Sequence, residues 1–241
     1  MEKEVARVVH KRCPTGITGF DNLCQGGFYR NSINTVLGGP GSGKTTFLLQ
    51  FLWNGIKMYD EKGLYISFEA HDEDVFQDAK SYGWDFLKLS SEGKFKFLRI
   101  FPKTTIEDLR HQVEKLVLSN NLSRVCIDPI GILSMRLKDE AIIREAIYDL
   151  TTMLKRLDIT TVVADETVEG TIDNYSLGND ETRTQSIKFL CDGLINLYSS
   201  GLGGESDRAV RITKMRRTDH VRGPVPFKIT DKGIVVYYKK K

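Results

Sequence analysis

The sequence predicts an α/β fold: a mainly parallel, twisted sheet flanked by helices, with antiparallel strands added late. Three observations carry this. Short apolar runs alternate with helical periodicity up to residue 165, the pattern of a parallel sheet with crossover helices. Gly38-Gly39-Pro40-Gly41-Ser42-Gly43-Lys44-Thr45-Thr46 fits G-x-x-x-x-G-K-[ST], a phosphate-binding loop, and sits between a strand-like and a helix-like run. Four further strand-like runs follow residue 192 in quick succession.

In chain order, Val5–Val9 reads as a first short strand. Thr15-Gly16-Ile17-Thr18-Gly19-Phe20-Asp21-Asn22-Leu23 gives a turn and a brief helix, ended by Gly26-Gly27. Residues 33–37 are a buried strand and Phe47–Trp53 a helix, with the glycine loop between. Gly63–Glu69 is the next strand and Asp72–Ser81 the next helix, closed by Tyr82-Gly83-Trp84. Phe95–Ile100 is a strand. Thr104 with Glu107 forms a capping box, and Ile106, Leu109, Val113 and Leu116 recur at helical spacing, so 105–118 is a helix. Val125-Cys126-Ile127-Asp128 is an apolar strand ending in a carboxylate. Ile143, Ile147, Leu150, Leu154 and Leu157 mark an amphipathic helix, and Thr160–Ala164 is a strand ending at Asp165-Glu166. Residues 167–181 lack periodicity and read as a long loop, of the kind that often carries function. A short helix near 182–190 precedes strands at Gly193–Tyr198, Arg208–Arg216, Phe227–Ile229 and Ile234–Tyr238.

The 241 residues predict one domain spanning 1–241, long enough for a large core. Lys+Arg 35 against Asp+Glu 32 gives a net charge of +3, too mild to imply nucleic acid by itself. Met1-Glu2-Lys3-Glu4 is followed by no apolar signal core, and no run is long enough to cross a bilayer. Cys13, Cys24, Cys126 and Cys191 form no C-x-x-C pair, which fits a reducing cytoplasm. His10, His71, His111 and His220 are scattered and suggest no metal cluster.

The chemistry centres on the loop. Gly39, Gly41, Ser42, Gly43, Lys44, Thr45 and Thr46 are the expected nucleotide contacts. Glycines let backbone N–H groups close on phosphate oxygens, and the new helix aims its positive end at the same anion. Lys44 reaches the outer phosphates, and the Thr45 hydroxyl can ligate Mg²⁺. Asp128, ending an apolar strand beyond such a loop, either holds Mg²⁺ or caps a helix; the phosphates' need for a cation favours the metal role. Glu69, at a strand's carboxyl end, is either the group that activates water or a solvated first-turn acid. Lys214 and Arg216 are two apart on a strand, with Val210 and Ile212 expected on the same side. Paired cations there suit phosphate recognition or form a solvated basic rim.

The ordered set of motifs resembles a single KaiC-type domain of the RecA ATPase superfamily over nearly the whole chain. The resemblance rests on Thr15–Asp21, the loop itself, Tyr65-Ile66-Ser67-Phe68-Glu69, Ser81-Tyr82-Gly83-Trp84-Asp85, Cys126-Ile127-Asp128, Lys214-Met215-Arg216-Arg217-Thr218-Asp219-His220 and Ile229-Thr230-Asp231. It implies a RecA-type core and a hexameric ring with ATP and Mg²⁺ between subunits. By the same resemblance Glu69 acts in catalysis, while Lys214, Met215, Arg216, Thr218 and His220 contact the neighbour's nucleotide. Arg216 then stabilises the transferring phosphoryl group in trans, and Ser81 and Asp231 line the nucleotide site. Two departures stand out: Glu69 is followed by Ala70 where the family usually has a second acid, and Lys188-Phe189 occupies the place of the clock protein's phosphorylated Ser-Thr pair. Neither supports autokinase activity.

Two other functions compete. A recombinase-like ATPase would bind DNA through the 166–182 loop, yet Glu166, Glu169, Asp173, Asp180 and Glu181 there repel phosphate. A nucleotide-gated signalling or scaffold protein would hydrolyse slowly and present its assembly state to a protein partner.

Overall fold

The computed structural model describes residues 12–133, 139–166, 187–188, 190–201 and 207–238. Two two-residue strands, β1 (Arg12–Cys13) and β2 (Phe28–Tyr29), pair antiparallel on their own and bracket a 3-10 turn at Asp21–Cys24. All other strands among the described residues join one nine-stranded sheet. Its parallel part comprises β3 (Ile33–Gly38), β4 (Gly63–Ser67), β5 (Phe95–Arg99), β6 (Arg124–Asp128), β7 (Thr160–Glu166) and β8 (Gly193–Ser199). β9 (Arg208–Met215), β10 (Val225–Thr230) and β11 (Gly233–Val236) extend it antiparallel. The order is β11-β10-β9-β8-β3-β7-β6-β4-β5, the expected mainly parallel RecA-type core with late antiparallel strands.

Helices cover both faces, because strands buried on both sides need two apolar partners. Against one face lie α1 (Lys44–Tyr59), α2 (Asp72–Ser81) and α3 (Phe86–Ser91), with Phe47, Phe51, Val75 and Phe86 in that core. Against the other lie α4 (Ile106–Asn120) and α5 (Glu140–Arg156), through Leu109, Val113, Ile147 and Leu154. β3 runs between β7 and β8 with every residue buried, so its carboxyl end places the glycine loop near the middle of the sheet.

Several expectations are corrected. α1 starts at Lys44, not Phe47, because Gly43 at φ +97° ends the loop and Lys44-Thr45-Thr46 form the first turn. The capping box is Thr105 with Asp108, one residue beyond Thr104 and Glu107: Thr105 Oγ1 accepts from Asp108 N at 3.0 Å. α3 was not expected; Asp85 caps it by accepting from Lys88 N at 2.9 Å. The Val5–Val9 strand, the 167–181 loop and Lys239–Lys241 lie outside the described residues. Of the helix at 182–190, residues 187, 188 and 190 are described and are helical. The four cysteines are free and buried. No described helix is long and apolar enough to cross a membrane.

The edge opposite the loop is anchored by a buried ion pair. The Arg124 side chain, fully buried, donates to Glu61 at 2.5 Å and to Phe51 O at 2.9 Å. Glu61 also takes Arg30. Burial alone pushes the Glu61 carboxyl up, but the two guanidiniums together leave it below its usual range. Gly55 is required here: a Cβ would stand 2.5 Å from Arg124 Cδ.

Candidate functional site

The loop is shaped by close backbone approach. A Cβ on Gly38 would lie 2.3 Å from Ser42 Oγ and 2.7 Å from Leu197 O, and Gly41 and Gly43 sit at φ +72° and +97°. Among the described residues no side chain caps α1, so its first-turn N–H groups suit an anion. The Ser42 hydroxyl is buried against Gly38, beside Leu197 O, and has no hydrogen-bond partner among the described residues. Lys44 Nζ folds over the loop and donates to Gly38 O at 2.8 Å and Gly39 O at 3.0 Å. Uncapped amides and an ammonium together fit a polyphosphate.

The expected cation pair is brought together. Thr45 Oγ1, on the first turn of α1, donates to Asp128 Oδ2 at 2.8 Å. Asp128 ends β6, where Phe68 N donates to its carbonyl oxygen at 3.0 Å. Glu69 follows that tie, two residues past β4 and exposed on the same carboxyl edge of the sheet. A hydroxyl beside a carboxylate, next to a phosphate cradle, is a hard-oxygen donor set suited to Mg²⁺.

Asp165 stands on the same edge and was not assigned a role from sequence. It is 5% exposed at the end of β7 and accepts from Glu166 N at 3.0 Å. Burial is the main cause pushing its carboxyl up to about 6. The charge of Glu166 adds to this, while the Glu166 N–H, Lys188 and Lys44 oppose it. A carboxyl raised on folding stabilises below its unfolded value and loses that contribution as pH rises towards 6. Asp165→Asn should therefore gain about 3 kcal/mol over the native chain at pH 7.5 and little at pH 4. Urea unfolding of both chains across that range checks it; a pH-independent difference would contradict the assignment.

Ser81, Tyr82 and Trp84 close α2 beside the loop. Tyr82 Oη lies 3.4 Å from Thr46 Oγ1, and the Tyr82 and Trp84 rings are 4.7 Å apart. Ser81 is exposed and donates to Asp78 O at 2.6 Å. Asp231 is exposed in the turn between β10 and β11. That hairpin packs on the loop's helix through Gln50, which bonds Ile234 N at 2.7 Å and Ile234 O at 3.2 Å.

Lys214, Met215 and Arg216 are elsewhere. Met215 pairs with Gly193, and Gly193 pairs with Asn34, so this segment lies at the amino end of β3. Arg216 N donates to Asp192 O at 2.8 Å, and its guanidinium lies 3.5 Å from Asp192 Oδ1; Ile33 N donates to Asp192 Oδ2 at 3.0 Å. From Ile33 to Gly38 the strand covers about 17 Å. Lys214 Nζ donates to Cys191 O at 2.8 Å and Lys188 O at 3.2 Å. Thr218 Oγ1 accepts from Arg12 at 2.9 Å, and His220 Nδ1 is 3.1 Å from Val221 O. The structure thus separates Lys214, Met215 and Arg216 from the loop of the same chain.

The expected face of β9 is also corrected. Ile212 pairs with Ile195 but Lys214 pairs with Leu194, so Thr213 is the extra residue of a β-bulge. Val210, Ile212 and Met215 fall in one core, while Lys214 turns away from that face. Met215 is 7% exposed, so its side chain serves the core.

A sequence model of the KaiC ATPase family matches residues 13–241. The chain belongs to the KaiC ATPase family. The circadian clock oscillator protein KaiC of Synechococcus elongatus is 32% identical over 234 residues, covering 92% of this chain and 43% of that protein. The chain spans less than half the length of such clock proteins. A UPF0273 protein of Thermotoga maritima is 32% identical over 243 residues, covering 94% of this chain and 96% of that protein. The crystal structure of KaiC-like protein PH0186 from Pyrococcus horikoshii OT3 superposes with a TM-score of 0.81 at 33% identity, covering 95% of this chain and 99% of that one.

Two polar groups join this KaiC-family site without a motif that marks them: Tyr65, which donates to Asp128 Oδ2 at 2.5 Å, and Asp165. The signal for Asp165 was present: like Asp128, it follows an apolar strand run. Tyr65 left a weaker trace, a hydroxyl-bearing ring on the strand side shared with Ser67 and Glu69.

Proposed function

We propose that this KaiC-family chain is a Mg²⁺-dependent ATPase, converting ATP and water to ADP and phosphate at the interfaces of a homo-oligomeric, six-membered ring. One observation supports assembly above all: the Lys44 loop and Arg216 occupy opposite ends of β3, about 17 Å apart by strand rise, so Arg216 suits a neighbour's nucleotide and not its own.

In this reading the backbone N–H groups of residues 41–46 and the Lys44 ammonium hold the phosphates, with Gly39 and Ser42 shaping the loop around them. Ser81 and Asp231 border the nucleotide. Thr45 and Asp128 hold the cation, which when bound offsets charge on the outer phosphate oxygens. Glu69 orients water and takes its proton as the water oxygen bonds to the γ-phosphorus and the bond to the ADP oxygen breaks. Lys214, Arg216, Thr218 and His220 complete the site from the next subunit, with Arg216 meeting the developing charge. Met215 contributes by holding that segment in the core.

A second reading, ATP as an assembly signal read by a protein partner, is favoured by the Arg216–Asp192 contact, since a neighbour's phosphate would compete for that guanidinium. Particle mass and phosphate release measured together separate the two. With ATP and Mg²⁺ the mass should rise to about six chains with steady phosphate release. A ring without release supports the assembly signal, and a monomer that releases phosphate removes the role in trans.

A further inference from the structure

Tyr65 is buried, 1% exposed, on β4, where its ring stacks on Phe97 of the neighbouring strand with centroids 5.7 Å apart and planes at 12°. A phenylalanine would fill that space without bringing a hydroxyl into an apolar core. Buried tyrosine hydroxyls need a partner, and the partner here is specific. Tyr65 Oη donates to Asp128 Oδ2 at 2.5 Å, the same oxygen that takes the Thr45 hydroxyl at 2.8 Å. Tyr65 is level with Cys126 on β6, so its long side chain reaches two residues along that strand to the carboxylate.

We propose that Tyr65 is a positioning residue for the cation site: its buried hydroxyl locks the Asp128 carboxylate that in turn orients the Thr45 hydroxyl. This rests on the ATPase reading above. An aspartate's carboxylate turns readily about its terminal torsion, so one donor fixes it poorly and two donors from different elements fix it well. Thr45 spends its single hydrogen on Asp128, which leaves its oxygen lone pairs for a cation. Both hydroxyls use Oδ2, so Oδ1 takes neither. Outer partners of this kind typically change metal affinity by about 10- to 100-fold.

The test is Mn²⁺ binding, read by electron paramagnetic resonance, to the full chain with a non-hydrolysable ATP analogue. Tyr65→Phe should weaken Mn²⁺ binding about tenfold, while nucleotide affinity in excess chelator stays unchanged. Phe95→Leu, which loosens the same apolar cluster and keeps the hydroxyl, should leave Mn²⁺ affinity at the native value. Equal Mn²⁺ affinity in native and Tyr65→Phe chains would overturn the proposal, as would equal weakening in both variants. A Tyr65→Phe chain that does not fold would overturn it too, by making the hydroxyl a requirement of the fold. A native chain that binds the analogue but no Mn²⁺ would remove the cation site, and this proposal with it. One that binds neither would overturn the ATPase reading first.

Discussion

Arg216→Ala is expected to lower ATP turnover about a thousandfold while leaving ATP affinity and ring mass near native, the scale of a lost arginine finger. The substitution removes no large part of the fold. The Arg216 side chain is half exposed, at 51%, and its 3.5 Å contact with Asp192 is a long, solvent-screened pair. Asp192 keeps Lys155 at 2.7 Å and the Ile33 N–H at 3.0 Å, so its carboxylate is not stranded. The loss should therefore appear in kcat, with KM little changed. Mixing gives the sharper check. A Lys44→Ala chain has a disabled loop and an intact Arg216; an Arg216→Ala chain has the reverse. Neither should turn over ATP alone. Randomly mixed one to one, about a quarter of the interfaces should join an intact loop to an intact arginine, and turnover should return in proportion. No recovery from chains shown to mix would exclude the role in trans, as would near-native turnover of Arg216→Ala in complete rings.

The placement of Arg216 away from its own loop depends on where β9 ends, which is only partly legible in the sequence. The glycine loop, Asp128 and the helix and strand alternation were legible because each follows a short-range rule: a fixed spacing or a period. Asp72–Ser81 was legible to the residue for that reason. The capping box slipped by one because two threonines and two acids stand side by side, so both registers satisfy the spacing. The bulge at Thr213 was not legible, since the slip lies in the pairing of β8 with β9 and not in β9's own pattern. That slip sends Met215 to the core and Lys214 to carbonyls of the 188–191 segment. The Tyr65 hydroxyl was hidden similarly: its partner is set by the register of β4 on β6. Helix α3 has six residues, too few for a periodic signal.

Lys44→Ala should weaken ATP binding about a hundredfold and reduce phosphate release to background. The Lys44 ammonium donates to Gly38 O and Gly39 O, so it is held over the cradle by two bonds that phosphate oxygens can replace. Charge-assisted hydrogen bonds contribute about 1.5 kcal/mol each, and two of them account for roughly two decades of affinity. Turnover suffers beyond binding, because the same ammonium offsets charge that grows on the outer phosphates as the bond breaks. Stability should move little: Lys44 is only half-buried, so water can reach the carbonyls it leaves. Lys44→Arg is the stricter variant. It keeps the charge but brings a planar fork into a space bounded by Gly38, Gly39 and the first turn of α1, and it should restore less than a tenth of the lost turnover. Fluorescent-nucleotide titration beside phosphate release checks both variants. Native affinity in Lys44→Ala would mean that the loop's amides alone grip the phosphates, and native release would place hydrolysis away from this loop.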